Sequence, residues 1–373
     1  MEKSYRFIQM DEEGYLMVDD LRVADLEIGN KTIAHIQMDE RNRPFTFFGD
    51  EPAIIEAFDE PYVALSVEKI GGKMGGKNSE GEGEKTLATG TDGSRWTLLL
   101  PYQHREEFEM SSLTVDEWDR FHGHSVRGVP FVLSRAAQAE LFNLVDDYDD
   151  ESITVGGIQY TIQPWLTENP EVNRAEWWSD LYATQQSGWD LEAPSHVLAS
   201  RMPQLKLQKS RVLVPCCGSG NDAAWFAEQG HLVTAVDFSI EAIERGRKKY
   251  GHLSNLKFLK ANIFDLPIEM THSFDLIFEH TCYCAIDPRK RKDLVQLWRR
   301  LLVDNGHVMG VFFAMDKSFG PPYGGSEWEM RQRLQKGQFR LLYWNRLRDS
   351  KTERMGKELF VYAQKIPNFS SLA

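Results

Sequence analysis

The stretch "LVPCCGSGND" at 213–222 sets Gly218 and Gly220 behind the apolar run Val212, Leu213 and Val214. Asn221 and Asp222 follow, ready to cap a helix that continues as "AAWFAEQG". Strand, glycine turn and helix together cradle a nucleotide: glycine lets the backbone approach a ligand closely, and the helix N-terminus faces it. Asp237 ends the next apolar run, "HLVTAVD", where an acid accepts hydrogen bonds from ribose hydroxyls. Such an acid could instead cap the next helix, but Ser239 already suits that. In "LKANIFDLP", Asn262 is placed to meet an adenine edge and Ile263 to pack on the ring; the plain alternative is a turn asparagine. A fourth segment, "FDLIFEHTCYCAIDPRKR" (274–291), reads as a strand ending in Glu279, then a polar and aromatic loop, then a helix. The glycine turn and Asp237 serve NAD and S-adenosylmethionine (AdoMet) alike, so the surrounding elements must decide between them.

From about Glu176 strands and helices alternate, which predicts a parallel sheet covered by helices on both faces. The strands are expected at 211–215, 231–237, 256–260, 274–279, 307–314, 339–345 and 358–364, and the helices at 221–229, 239–250, 288–302 and 326–336. Only "NRLRDSKTERMGK" separates the last two strands, too short for a parallel crossover, so they pair antiparallel. A mostly parallel sheet closed by an antiparallel hairpin is a Rossmann-like class I methyltransferase architecture, not that of a dehydrogenase. The first and fourth strands flank the switch point, where open α/β sheets bind ligands, so 280–287 is positioned to line an acceptor pocket.

The chain has 373 residues, enough for two domains. Residues 1–165 carry 32 acidic and 15 basic residues, a net of −17, whereas the remainder has 24 and 28, a net of +4. This divides the chain into an acidic α+β domain over 1–165, a linker over 166–175 and a catalytic domain over 176–373. In the first, strands are expected at 15–18, 32–38, 62–68 and 95–101, a helix at 134–146 and a hairpin at 152–162 turning on Gly156-Gly157. Thr114 and Glu117 read as a capping box before a short helix. Residues 71–93, with eight glycines, read as a mobile loop. A net charge of −13 argues against a nucleic-acid partner. No apolar run is long enough to span a bilayer and the N-terminus has no secretory pattern, so a soluble cytoplasmic protein is expected. Protein contact or self-association is left to the acidic domain.

Residues 176–366 resemble the thiopurine S-methyltransferase family, particularly its thiol and halide/thiocyanate branch. Four motifs carry the likeness in order: "WWSDLYATQQSGWDLEAP" (177–194), "PCCGSGND" (215–222), "FDLIFEHTCYCAIDPRKR" and "FGPPYGG" (319–325). The resemblance implies AdoMet as cofactor, with S-adenosylhomocysteine as product, and a small-molecule acceptor. It implies that Trp178, Tyr182 and Trp189 enclose both reactants and that Cys217, Gly218, Gly220 and Asp222 pass near the methionine moiety. Asp237 and Phe238 would hold the ribose, and Asn262 and Ile263 the adenine. Three departures stand out: Cys216 replaces a glycine, Asn262 an acid, and Glu279-His280 an Asp-Tyr pair.

The implied reaction is in-line methyl transfer to a small soft nucleophile: thiol, sulfide, thiocyanate or halide. Such an acceptor brings its own lone pair, so the site must mainly position reactants and exclude water. Aromatic walls suit the sulfonium by cation–π attraction; Trp178, Tyr182, Trp189, Tyr283 and Tyr323 are the wall candidates, and each also suits core packing. For a neutral thiol, Glu279 or His280 is placed to take the proton, and either also suits satisfying backbone groups. Tyr182, Glu279, His280 and Tyr283 are therefore the catalytic candidates, with Glu279 also beside the cofactor. The rivals are an oxygen or nitrogen methyltransferase, which needs a true base, and an AdoMet-binding regulatory module. Cys216, Cys217, Cys282 and Cys284 lie after the first and fourth strands, but their C-C and C-x-C spacings do not match zinc knuckles. They are expected as small, soft packing residues rather than staples. His104 and the histidines of "FHGHS" (121–125) read as solvated, so no metal is expected.

Overall fold

The computed structural model describes residues 6–48, 51–70, 95–205 and 207–367. The expected loop at 71–93 lies outside them. Contacts divide the chain into two compact units, 1–165 and 166–373.

The first unit is β-rich: its described residues form a six-stranded and a five-stranded sheet, two three-stranded sheets and two α-helices, Leu26–Ala34 and Arg135–Phe142. The expected hairpin pairs Ser152–Val155 with Ile158–Thr161, with Gly156 and Gly157 both at positive φ. The strand expected at 32–38 is a correction: Leu26–Ala34 is helical, capped by the Asp25 side chain, and only Gln37–Met38 is strand. Buried Gly29, Thr32, Ile33 and Ile36 follow the helical spacing that the β-branched residues obscured. The helix expected after Thr114 is also absent. Thr114–Val115 is a strand, and Asp116 Oδ1 accepts the N–H of Trp118 and of Arg120 in a tight turn instead. His122, expected in solvent, is buried between Asp116 (3.1 Å) and Glu60 (3.3 Å). Burial opposes its charge, but the two carboxylates prevail and raise its pKa to about 9.

The second unit is built on seven strands: β1 Arg211–Pro215, β2 Leu232–Asp237, β3 Leu256–Lys260, β4 Phe274–His280, β5 Leu302–Phe313, β6 Phe339–Arg346 and β7 Glu358–Lys365. Their order is β3-β2-β1-β4-β5-β7-β6. The first five are parallel, and β7 runs antiparallel between β5 and β6. This is the class I methyltransferase sheet that the sequence pattern implies. β5 begins five residues earlier than expected, at Leu302.

Six helices pack around this sheet: α1 Ala175–Ala183, α2 His196–Leu205, α3 Asn221–Glu228, α4 Ile240–Tyr250, α5 Arg291–Leu301 and α6 Glu327–Lys336. Two buried clusters cover its faces, one around Trp298, Leu294 and Phe312, the other around Phe226, Phe278 and Ile243. Ser239 caps α4 and Ser326 caps α6. The residues expected as a linker, 166–175, belong to this second unit. The Thr167 N–H donates to Ser318 O (2.8 Å), Asn169 Nδ2 to Gly320 O (3.2 Å), and Glu168 pairs with Arg289 (2.6 Å).

Gly220 has φ +80, and a Cβ there would meet the Phe258 ring at 2.6 Å. Gly220→Ala combines left-handed strain with overpacking, so urea unfolding is expected to show a loss of roughly 1–3 kcal/mol. An unchanged midpoint would refute this packing role.

Candidate active site

Because β2 and β4 flank β1 on opposite sides, the chains leaving β1 and β4 diverge and open a crevice at their carboxyl ends. A cavity of about 390 Å³ occupies it, adjoined by a smaller one of about 40 Å³. Tyr182, Trp189, Cys216 and Thr281 line both.

Helix α1 brings Trp178 and Tyr182 over the mouth, and the following loop brings Trp189. Trp178 and Trp189 meet edge-to-face at 5.4 Å, and Tyr182 and Trp189 at 5.8 Å. Trp189 Nε1 donates to the Tyr182 hydroxyl (3.0 Å), while Trp178 Nε1 donates to Val172 O (3.0 Å). Burial raises the Tyr182 pKa well above its ordinary value, so it remains a phenol.

Below these rings Asp237 ends β2 in the cavity wall. Its Oδ2 accepts Gly218 N–H and its Oδ1 accepts Ser239 N–H, each at 2.9 Å, leaving lone pairs for further donors. Burial lifts its pKa to about 6, against the pull of those N–H donors. Asn262 Oδ1 accepts Phe264 N–H (3.1 Å), which leaves its amide nitrogen as a donor beside Ile263 and Phe264. Asp190 Oδ1 accepts from Ser219 Oγ and Asn221 Nδ2, both at 2.9 Å. Cys217, Gly218, Asp190 and Asp222 line the smaller cavity. These groups fit AdoMet: paired acceptors for a ribose diol, an amide for adenine, and carboxylates where a sulfonium and an ammonium would lie.

Of the catalytic candidates, His280 joins Tyr182 in lining the smaller cavity. Its Nδ1 lies 2.8 Å from Asp222 Oδ2, and its Nε2 lies 3.5 Å from Arg354 Nη1. Burial disfavours the charged ring, but Asp222 outweighs it, so the pKa is raised. Glu279, Tyr283 and Tyr323 do not line either cavity, a correction to their expected place as base and walls. Glu279 is 0% exposed, and its Oε1 accepts Tyr283 N–H (2.6 Å). Burial pushes its pKa to about 7. The Tyr283 hydroxyl donates to Glu329 (2.7 Å), which is also held by Arg291 and Arg333. Gly220 likewise packs against Phe258 rather than lining a cavity. Phe238 does line the main one.

Several wall residues escaped sequence reasoning. Val172 and Asn173 come from the supposed linker, and Arg354 from the β6–β7 loop, over the ring of Phe313 at 5.4 Å. Pro321 and Pro322 follow two consecutive cis peptide bonds. The "GPPY" motif signalled these prolines, but local spacing has no signal for a loop that returns from a distant hairpin. The cysteines depart from expectation too: Cys216 and Cys282 form a disulfide, with Cys217 and Cys284 free. Burial pushes the Cys284 thiol up to about 12 and Cys217 well above its ordinary value.

The family model described as Thiopurine S-methyltransferase matches residues 173–365, more than half of the chain. The chain belongs to the thiopurine S-methyltransferase family. It is 35% identical over 155 residues to probable thiol methyltransferase 2 of Arabidopsis thaliana, covering 40% of this chain and 68% of that protein. Thiocyanate methyltransferase 1 of Brassica oleracea is 29% identical over 159 residues, covering 41% and 69%. The thiopurine S-methyltransferase of Pseudomonas putida is 28% identical over 172 residues, covering 42% and 80%. As a member of this family the chain is an AdoMet-dependent methyltransferase. Its match begins at residue 173, within the segment that lines the cavity, and leaves the acidic unit outside.

Two measurements test this geometry. Asp237→Asn replaces charge-assisted bonds to a diol by weaker ones, so AdoMet affinity by calorimetry is expected to fall on the order of tenfold. In the wild type the affinity should weaken as pH drops through about 6, where Asp237 takes up a proton; an unchanged affinity in both cases removes Asp237 from the ribose site. Glu279 binds its proton more tightly when folded, so between its ordinary value and about 7 the wild type loses stability as pH rises. Glu279→Gln is expected to remove the Glu279 share of this slope, on the order of 3 kcal/mol between pH 4.5 and 7, and to leave the share of Asp237. Parallel denaturation curves for the two proteins would show that Glu279 is not protonated in this way.

Proposed function

We propose that the enzyme transfers the AdoMet methyl group to a small soft nucleophile, a thiol, sulfide, thiocyanate or halide, by in-line displacement. The observation that carries this reading is the cavity wall formed by the end of β5 and by the loops that follow β5 and β6. Phe313, Pro321 and Pro322 supply apolar walls there, and the Arg354 guanidinium supplies a cation that buried Glu358, 3.3 Å away, partly balances. Reaction of an anion with a sulfonium destroys charge, so an enclosure that excludes water favours the transition state over separated, hydrated ions. Arg354 attracts the anion, and the aromatic walls face the sulfonium.

AdoMet is held in this reading by Asp237 at the ribose, Asn262 and Ile263 at the adenine, and the 217–222 turn with Asp190 at the methionine end. Bound there, it supplies the electrophilic methyl group. Trp178, Tyr182 and Trp189 cover the reactants. Asp222 Oδ2 accepts the hydrogen bond of His280 Nδ1–H, which fixes the tautomer and leaves the Nε2 lone pair facing Arg354. A thiol that arrives protonated can lose its proton to that nitrogen. Names among the relatives, thiol and thiocyanate methyltransferases, agree with this acceptor class.

Methyl transfer from labelled AdoMet to hydrosulfide, an aromatic thiol, thiocyanate and iodide, with catechol as the oxygen control, tests the proposal. Turnover on the soft acceptors with none on catechol is expected; the reverse pattern would replace this reading with an oxygen methyltransferase. With a weakly acidic thiol, kcat/KM is expected to rise with pH through the raised His280 pKa, above the ordinary 6.5, because the ring must be neutral to accept a proton. Thiocyanate and iodide have no proton to lose and are expected to lack that limb. Arg354→Ala is expected to raise KM for iodide on the order of tenfold, matching loss of a charge contact worth about 1.5 kcal/mol; equal KM values would take Arg354 out of the acceptor site.

A further inference from the structure

The Cys216–Cys282 bridge joins the two chains that leave β1 and β4, where the crevice opens. Cys216 follows β1 and opens the glycine turn, while Cys282 follows β4 in the 280–287 loop, 66 residues away. Their Cα atoms are 5.3 Å apart, within the usual range for a bridged pair. Both attached turns are backbone-strained. Cys216 has φ +44, and Thr281, immediately before Cys282, has φ +66, a region a β-branched residue rarely enters. The two sulfurs also differ in access: Cys216 lines both cavities, whereas Cys282 is 0% exposed.

We propose that this bridge is a thiol-cleavable clamp that holds the cofactor turn and the acceptor loop together, and that small thiols, the class proposed as acceptors, open it. Unbonded sulfurs need van der Waals separation, so opening moves the two loops apart and lets Cys216 and Thr281 leave their strained conformations. The exchange balances. One thiolate attacks Cys216 Sγ and expels the Cys282 sulfur, which takes up a proton. A second thiolate attacks the outer sulfur of the mixed disulfide and releases Cys216. Two thiols become one small disulfide, and the bridge becomes two thiols. A small disulfide such as oxidised glutathione reverses the process. The clamp acts on the AdoMet site proposed above and therefore rests on that reading.

The test reads binding rather than turnover. The full-length wild-type chain is equilibrated with oxidised glutathione or reduced with a phosphine, and alkylation followed by mass spectrometry scores the Cys216–Cys282 link. S-adenosylhomocysteine is then titrated by calorimetry. The bridged form is expected to bind on the order of tenfold more tightly. Linkage requires the reciprocal effect: saturating S-adenosylhomocysteine should shift the glutathione equilibrium of the bridge by the same factor. Cys282→Ala should bind like the reduced wild type, and the wild-type comparison stands even if this variant folds poorly. Equal affinity in both forms, with the link demonstrated, overturns the clamp and leaves the cofactor site intact. Absence of the linked peptide under oxidised glutathione also overturns it. If neither form binds S-adenosylhomocysteine, the cofactor reading falls and the clamp falls with it.

Discussion

The carboxylate of Asp237 ties together the parts on which the second unit's chemistry depends. One oxygen takes the N–H of Gly218 and the other that of Ser239. The first bond fixes the turn after β1; the second sets the residue whose hydroxyl caps α4. Helix α4 in turn carries Arg245, whose guanidinium donates to Tyr182 O and lies over its ring at 5.6 Å. The aromatic cover is thus registered to the floor through one buried acid. Burial disfavours its charge and the N–H groups favour it, and a ligand diol would add to the favourable side.

The same site keeps its own nucleophiles quiet. Cys217 and Cys284 stand in the cavity walls of a methyltransferase, within a fold that would deliver an electrophile to them. Thiolates, not thiols, attack such centres. Desolvation beside acidic neighbours keeps both protonated. Burial here separates the enzyme's sulfur from that of an arriving acceptor without recourse to geometry alone.

Much of this unit was legible in the residues. β1, β2 and β3 are bounded by apolar runs and glycine turns, and the short 346–358 connection announced the antiparallel ending. Asp237, Phe238, Asn262 and Ile263 line the cavity because strand ends and the loops that follow them face the crevice in any sheet of this order. Tyr283 and Tyr323 were misjudged because aromatic residues near a motif carry no sign of which way they point. Their backbone positions flank the site, while their rings complete buried packing. Glu279 is similar: alternation along β4 turns it into the core and leaves His280 beside Asp222. The first unit was less readable, since Thr32 and Ile33 favour strands locally but sit in a helix capped by Asp25.

The segment 167–173 has a consequence for how such an enzyme can be assembled from parts. Thr167, Glu168 and Asn169 are hooked to the loops after β4 and β5, and Val172 and Asn173 then form part of the cavity wall. Asn173 accepts from Lys290 (2.7 Å) and donates to Asp287 (3.1 Å), closing the wall against the acceptor loop. Any module spliced ahead of this catalytic unit must join upstream of these residues. A gene fusion that cut closer to α1 would preserve every glycine and acid of the recognisable motifs yet remove a wall of the active site.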